Sequence, residues 1–221
     1  MNLDPIVEFL RTVFQSIHNL TPGASYGLTI IIFTLLLKIV LLPFNYIQTK
    51  STVKTQMVQP KLKELQKKHK GDSKKMQQAQ MELYKTEGVN PLGGCLPLLI
   101  QMPVLFAIFY VFQGKNVFVG DAARFLWIPS LALKDPLYIL PVISGVTTFI
   151  STWMLTPKNA EPNPMSSKST NLIMSGFFMY VSLNFQAGLV LYWVVNNILQ
   201  MGMQFYLNKF LYKKAELATQ K

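Results

Sequence analysis

Apolar residues in this chain fall in long runs rather than in the short, spaced blocks of a soluble core. Five such stretches lie at residues 26–45, 92–112, 137–155, 171–183 and 189–207, with polar segments between them. Most are near the ~20 residues that a ~30 Å hydrocarbon layer demands of a helix rising ~1.5 Å per residue. The pattern predicts an all-α, polytopic membrane protein with five transmembrane helices. It shows none of the ten-residue alternating segments of a transmembrane barrel. The fourth stretch is short. With its flanks, about 15 residues reach only ~22 Å as a helix, so it needs a thinned membrane or polar neighbours at its ends.

The polar segments divide the rest. In "MNLDPIVEFLRTVFQSIHNL", Ile6, Val7, Leu10, Val13, Phe14 and Ile17 recur at helical spacing. Residues 1–24 are therefore expected to form an amphipathic helix along the outer membrane surface. Asp4 and Glu8 stand where a cleavable signal would carry positive charge. The first transmembrane helix is assigned to 25–47, a cytoplasmic helical hairpin to 48–89, the other four transmembrane helices to 90–208 and a basic cytoplasmic tail to 209–221. The hairpin is expected to break at Gly71-Asp72, where glycine tolerates positive φ and aspartate caps the following helix.

Charge then sets the orientation. The chain has 221 residues and a formal net charge of +11. Lys50, Lys54, Lys61, Lys63, Lys67, Lys68, Lys70, Lys74, Lys75 and Lys85 crowd the hairpin, and Lys158, Lys168, Lys209, Lys213, Lys214 and Lys221 fall on the same side. Only Arg11, Lys115, Arg124 and Lys134 fall opposite. The positive-inside rule places the N-terminus outside and the C-terminus in the cytoplasm of a bacterial plasma membrane.

Several apolar runs carry a polar edge. Lys38 lies about 10 Å from the end of the first stretch at ~1.5 Å per residue, and a cation at such depth normally faces protein or water. At 100° per residue Gly27, Thr34, Lys38 and Asn45 share one edge. Trp193, Asn197, Gln200 and Gln204 share an edge of the fifth stretch, with Asn196 alongside, and Ser144, Thr148 and Ser151 do so in the third. Gln101 adds an amide from the second. Two readings compete: ordinary interhelical hydrogen bonding with Lys38 reaching for the head groups, or a wet groove with Lys38 as its fixed charge. The groove accounts for more of the pattern, and would shelter Gln101.

Other chemistries lack their residues. All ten carboxylates lie outside the five stretches, which argues against a proton- or sodium-coupled transporter. His18 and His69 are far apart in sequence and Cys95 is the lone cysteine, so neither a metal cluster nor an internal disulfide is expected. No nucleophile–base pair or phosphate loop is visible, so neither an enzyme nor a cofactor is expected.

Three segments carry a resemblance: "LLPFNYIQTKSTVKTQMVQPKLKELQKKHKGD", "LYKTEGVNPLGGCLPLLIQMPVLFAIFY" and "LNFQAGLVLYWVVNNILQMGMQFYL". Together they resemble the YidC family of membrane protein insertases, of the five-span Gram-positive type, over roughly residues 27–214. The resemblance implies a cytoplasm-open groove, closed toward the outside, that accepts a nascent hydrophobic segment and releases it sideways into lipid. The family's groove charge is usually an arginine; Lys38 occupies that place as a point charge without the planar fork. The implied client-binding set is Lys38, Thr34, Asn45, Gln101, Ser144, Thr148, Trp193, Asn197 and Gln200. The implied partners are nascent membrane-protein clients and the bilayer, with a Sec-type translocon and the ribosome as candidates and a monomer as the working unit. A lipoprotein cysteine, frequent near the family's N-terminus, is not expected here. A small anion channel or uncoupled transporter is the alternative, weakened by the apolar "GLTIIIF" of the first stretch.

Overall fold

The structure, a computed structural model, describes residues 4–21, 23–69, 71–89, 96–114, 117–155 and 168–219, with all their side chains but those of residues 73, 96–100, 155, 168, 208 and 211–219. The expectation for Cys95 lies outside the described residues. Among the described residues the chain is helical: α1 (Asp4–Leu20), α2 (Tyr26–Val40), α3 (Leu42–Lys68), α4 (Ser73–Thr86), α5 (Leu96–Phe112), α6 (Ile139–Leu155), α7 (Lys168–Ser182) and α8 (Ala187–Thr219). A 3-10 turn, Asp121–Ala123, interrupts the connection from α5 to α6. α8 is the hub, packing on α2, α3, α5 and α6, while α1 lies on α5 and α2 and α7 on α6.

The apolar stripe of the expected amphipathic helix, Val7, Leu10, Phe14 and Ile17, is buried against the protein. Phe14 is the centre of an aromatic cluster, with ring centroids 5.5 Å from Phe33, 5.3 Å from Phe112 and 6.2 Å from both Tyr26 and Phe118. Phe112 reaches on to Tyr192 at the start of α8. Ile30, Ile108, Val111, Ile128 and Leu131 complete this core. It fills the end of the bundle where α2 and α8 begin and α5 finishes. Most of its rings meet edge-to-face, a close-packed arrangement.

The segment between α5 and α6 closes over the same end. Leu131 and Leu133 lend their carbonyls to the Gly188 and Ala187 N–H groups at 2.9 and 2.7 Å, satisfying donors that the first turn of α8 cannot pair internally. Gly27 lets α2 approach this segment: a Cβ there would run into the Phe125 ring.

The first apolar run, expected as one helix over 26–45, breaks at Leu41, and α2 and α3 meet at a 65° bend. Pro43 explains it, since proline has no N–H to offer the Ile39 carbonyl and its ring crowds that turn. Asn45 accordingly belongs to α3. Its Nδ2 donates to the Leu41 carbonyl at 2.9 Å, bracing the break. Among the described residues no single helix is long and apolar enough to cross a membrane; the bent pair α2–α3 is, by length and composition.

Beyond the break α3 and α4 fold back on each other around buried Val58, Leu62 and Val89, and Lys61 pairs with Glu87. The turn uses Gly71 at φ 99°. Asp72 caps α4 by accepting the Lys75 N–H at 3.0 Å, a bond that holds its carboxyl below the usual carboxylate range. The near half of α3 buries a polar face, Asn45, Gln48, Thr49 and Thr52, at its packing with α8.

The close approach at Gly27 is testable. Gly27→Ala is expected to destabilise the protein by ~1–3 kcal/mol through overpacking. Phe125→Ala should recover most of that increment in a double-mutant cycle read by unfolding in detergent. Equal increments in both backgrounds would show that this contact does not govern the approach.

Candidate functional site

A buried cation needs donors satisfied, and Lys38 finds an amide. Its Nζ donates to Gln200 Oε1 at 2.8 Å, joining α2 to α8, and Gln200 Nε2 donates in turn to Gln204 Oε1 at 3.3 Å. Lys38 is 9% exposed and forms no ion pair among the described residues. The break at Leu41 changes its setting: Lys38 stands in the last turn of α2, not deep within a continuous helix. There the carbonyl end of the helix dipole favours positive charge.

A second cluster joins α8 to α6. Trp193 Nε1 donates to Thr148 Oγ1 at 3.1 Å. Asn197 Nδ2 reaches the same hydroxyl at 2.9 Å and Thr147 Oγ1 at 3.3 Å. Trp193 also stacks on Phe178 of α7, ring centroids 4.5 Å apart. The spacing 193, 197, 200, 204 keeps these side chains along one edge of α8, so a single helix serves both clusters.

The remaining candidates are held separately. Ser144 meets Ser182 of α7 at 3.0 Å, both buried. Thr34 is buried and donates to the Ile30 carbonyl of its own helix at 2.6 Å. Asn45 serves the helix break. Gln101 does not join Lys38: it lies beside the Tyr192 hydroxyl without a hydrogen bond of ordinary geometry, and its buried Nε2 has no partner among the described residues. An unpaired buried donor costs ~1–3 kcal/mol.

Thr147, Ser182 and Gln204 complete these clusters and were not among the expected site residues. Gln204 had a signal, the i+4 continuation of the α8 edge. Thr147 was hidden behind its neighbour Thr148, and Ser182 stands at the end of a short apolar run where a hydroxyl suggests a turn. Gln48, Thr49 and Thr52 lie in a segment whose composition suggests solvent, and only the tertiary packing of α3 on α8 buries them.

Thr148 is the shared acceptor, so it carries the test of the α6–α8 cluster. Thr148→Val is expected to cost ~0.6–1.7 kcal/mol, from the average to the largest value measured for hydrogen bonds between membrane helices. Thr148→Ser should stay within a few tenths of the parent in ~kcal/mol terms. Detergent unfolding curves check it, and a valine variant as stable as the parent would remove the cluster from the energetics of the bundle.

Known proteins supply the context for this arrangement. Residues 16–215 match the family described as 60Kd inner membrane protein. The chain is 41% identical over 217 residues to the membrane protein insertase YidC of Clostridium perfringens, covering 93% of this chain and 90% of that one. It is 39% identical over 211 residues to the insertase YidC of Clostridium tetani, covering 95% and 94%. The insertase YidC of Geotalea daltonii is 42% identical over 207 residues, which take in 94% of this chain but 37% of that longer one. The chain belongs to the 60Kd inner membrane protein family, the family of the YidC membrane protein insertases.

Proposed function

We propose that this insertase accepts nascent hydrophobic segments from the cytoplasm along the polar edge of α8 and releases them laterally into the bilayer. The observation that carries the reading is Lys38, a buried cation held by the Gln200 amide with no carboxylate partner among the described residues. A client's polar or acidic flank meets ammonium and amide groups there instead of bare hydrocarbon, which lowers the barrier to its entry. Thr34, Asn45, Ser144, Thr148, Trp193 and Asn197 supply the remaining polar lining, and Gln101 offers a donor with no partner among the described residues.

The same reading sets α2–α3, α5, α6, α7 and the first part of α8 across the membrane, with the N-terminus outside and the α3–α4 pair projecting into the cytoplasm. The lysine distribution supports that orientation. α7, with 15 residues, and α6, with 17, would span only ~22–26 Å, which favours a locally thinned bilayer. Clients come from the ribosome, directly or by way of a Sec-type translocon, and one copy of the chain suffices. An anion channel draws no support from the relatives, and the aromatic core opposes a path through the outer end.

In reconstituted liposomes, Lys38→Met is expected to slow integration of a single-span client with an acidic flank about tenfold, equivalent to ~1.4 kcal/mol of barrier. Lys38→Arg should retain the parent rate, and a client with a neutral flank should barely respond. If the acidic client integrates equally well with Met at position 38, the ammonium has no part in insertion.

A further inference from the structure

The connection from α5 to α6 contains a local contradiction that the groove does not use. Phe125 and Ile128 exchange both backbone hydrogen bonds, at 3.0 and 2.9 Å, closing a two-residue turn over Leu126 and Trp127. Turns that tight favour glycine, asparagine or aspartate where φ is positive. Here Leu126 takes φ 52°, and further along Tyr138 takes φ 56°. Both side chains point out: Leu126 is 76% exposed and Tyr138 55%.

One carboxylate holds both strained positions. Asp135 is buried, and its Oδ1 accepts the Trp127 indole N–H and the Leu137 N–H, each at 3.0 Å. Its Oδ2 accepts the Leu140 N–H at 2.7 Å. The neighbours of Leu126 and of Tyr138 are thus bolted to the same group, which over-determines a backbone that would otherwise relax. In water, an exposed leucine on a strained turn gives nothing to offset that strain. In an apolar phase its transfer does.

The surroundings say which phase. From Tyr138 an exposed apolar face continues along α6 through Ile139, Val142, Val146, Phe149 and Ile150, at spacings of three and four residues. In an inner-membrane protein that uncovered face meets lipid. Leu126, Leu133 and Leu137, all exposed, carry it past the end of the helix. Tyrosine suits the head-group level, where its ring is apolar and its hydroxyl wet.

We propose that residues 125–138 form a lipid-anchoring tip whose Leu126 and Tyr138, with Leu133 and Leu137, seat in the interfacial layer of the outer leaflet. The proposal rests on the reading of α6 as a membrane-crossing helix. Its consequence is positional. The same segment holds the first N–H groups of α8 through the Leu131 and Leu133 carbonyls. Anchoring the tip therefore fixes the depth of the helix that carries Trp193, Asn197 and Gln200.

The test uses the full chain with Cys95→Ser and a single fluorophore-labelled cysteine replacing Leu126, Tyr138, Val146 or Asp121, in phosphatidylcholine–phosphatidylglycerol vesicles. Lipids brominated high or low on the acyl chain report depth, and iodide reports water. Probes at 126 and 138 should be quenched several-fold more by shallow bromines than the probe at 121, while 146 responds to deep bromines. A probe at 126 that follows 121, open to iodide and insensitive to bromine, overturns the anchor while the α6 reading stands, provided 146 is quenched. Loss of quenching at 146 as well overturns the α6 reading and the anchor with it. Shielding from both quenchers at 126 would indicate a protein partner and likewise overturn the lipid assignment.

Discussion

A positive charge inside a helical bundle is tolerated only where something accepts its protons, and the hydrogen bond from Lys38 to Gln200 meets that requirement. It also ties α2 to α8, the helix on which α3, α5 and α6 pack. The two ends of this pairing differ in kind. At one, Phe14, Tyr26, Phe33, Phe112 and Phe118 interlock, and a close-packed aromatic core resists small rearrangements. At the other, amide and ammonium groups meet through hydrogen bonds that a polar visitor could exchange with little loss. A bundle built this way is rigid where it closes and adaptable where it is polar.

The polar residues themselves divide into two classes. Hydroxyls are mostly satisfied by their own helix: Thr34 by Ile30, Thr49 by Asn45, Thr147 by Ile143, Ser175 by Asn171 and Ser182 by Phe178. Such back-bonded groups tolerate an apolar neighbour and form interhelical contacts as an addition. Lysine and glutamine have no such local outlet. Lys38, Gln200 and Gln204 solve the problem by bonding to one another, and the Gln101 amide donor has no partner among the described residues. The polar side chains therefore differ in their bonding: Ser144 meets Ser182 of another helix, Thr34 is satisfied within its own, and Lys38 and Gln200 meet across helices.

How much of this was legible in the sequence depends on the range of the interaction. The all-helical class followed from apolar runs and from the periodicity of Val7, Leu10, Phe14 and Ile17, all local properties. The polar edge of α8 was equally visible, because 193, 197, 200 and 204 align at 100° per residue. What α1 packs against was not: an amphipathic stripe fits a membrane surface and a protein core equally well, and only the rings of Tyr26, Phe33 and Phe112 decide it. The break at Leu41 had a signal in Pro43, outweighed by an unbroken apolar run. The fate of Gln101 depended on which helix faces it, a long-range fact that no periodicity encodes. Asp135 is the extreme case, a loop carboxylate in sequence and a buried three-donor clamp in the structure.

The bend at Leu41 bears on the charge more than on the shape. In a straight helix through residue 45, Lys38 would stand about 10 Å from the end, at ~1.5 Å per residue, with every nearby carbonyl already paired. With α2 ending at Val40, the lysine occupies a helix C-terminus, where a cation is favoured by ~0.3–1 kcal/mol and by more in partly buried settings. Asn45 then gives the Leu41 carbonyl a side-chain donor beside its own backbone N–H. Pro43, Lys38 and Asn45 thus work as one device: the proline ends the helix, the end accommodates the charge, and the asparagine braces the gap. On this account the cation at position 38 and the position of the break are a single solution to keeping a charge where lipid would otherwise exclude it.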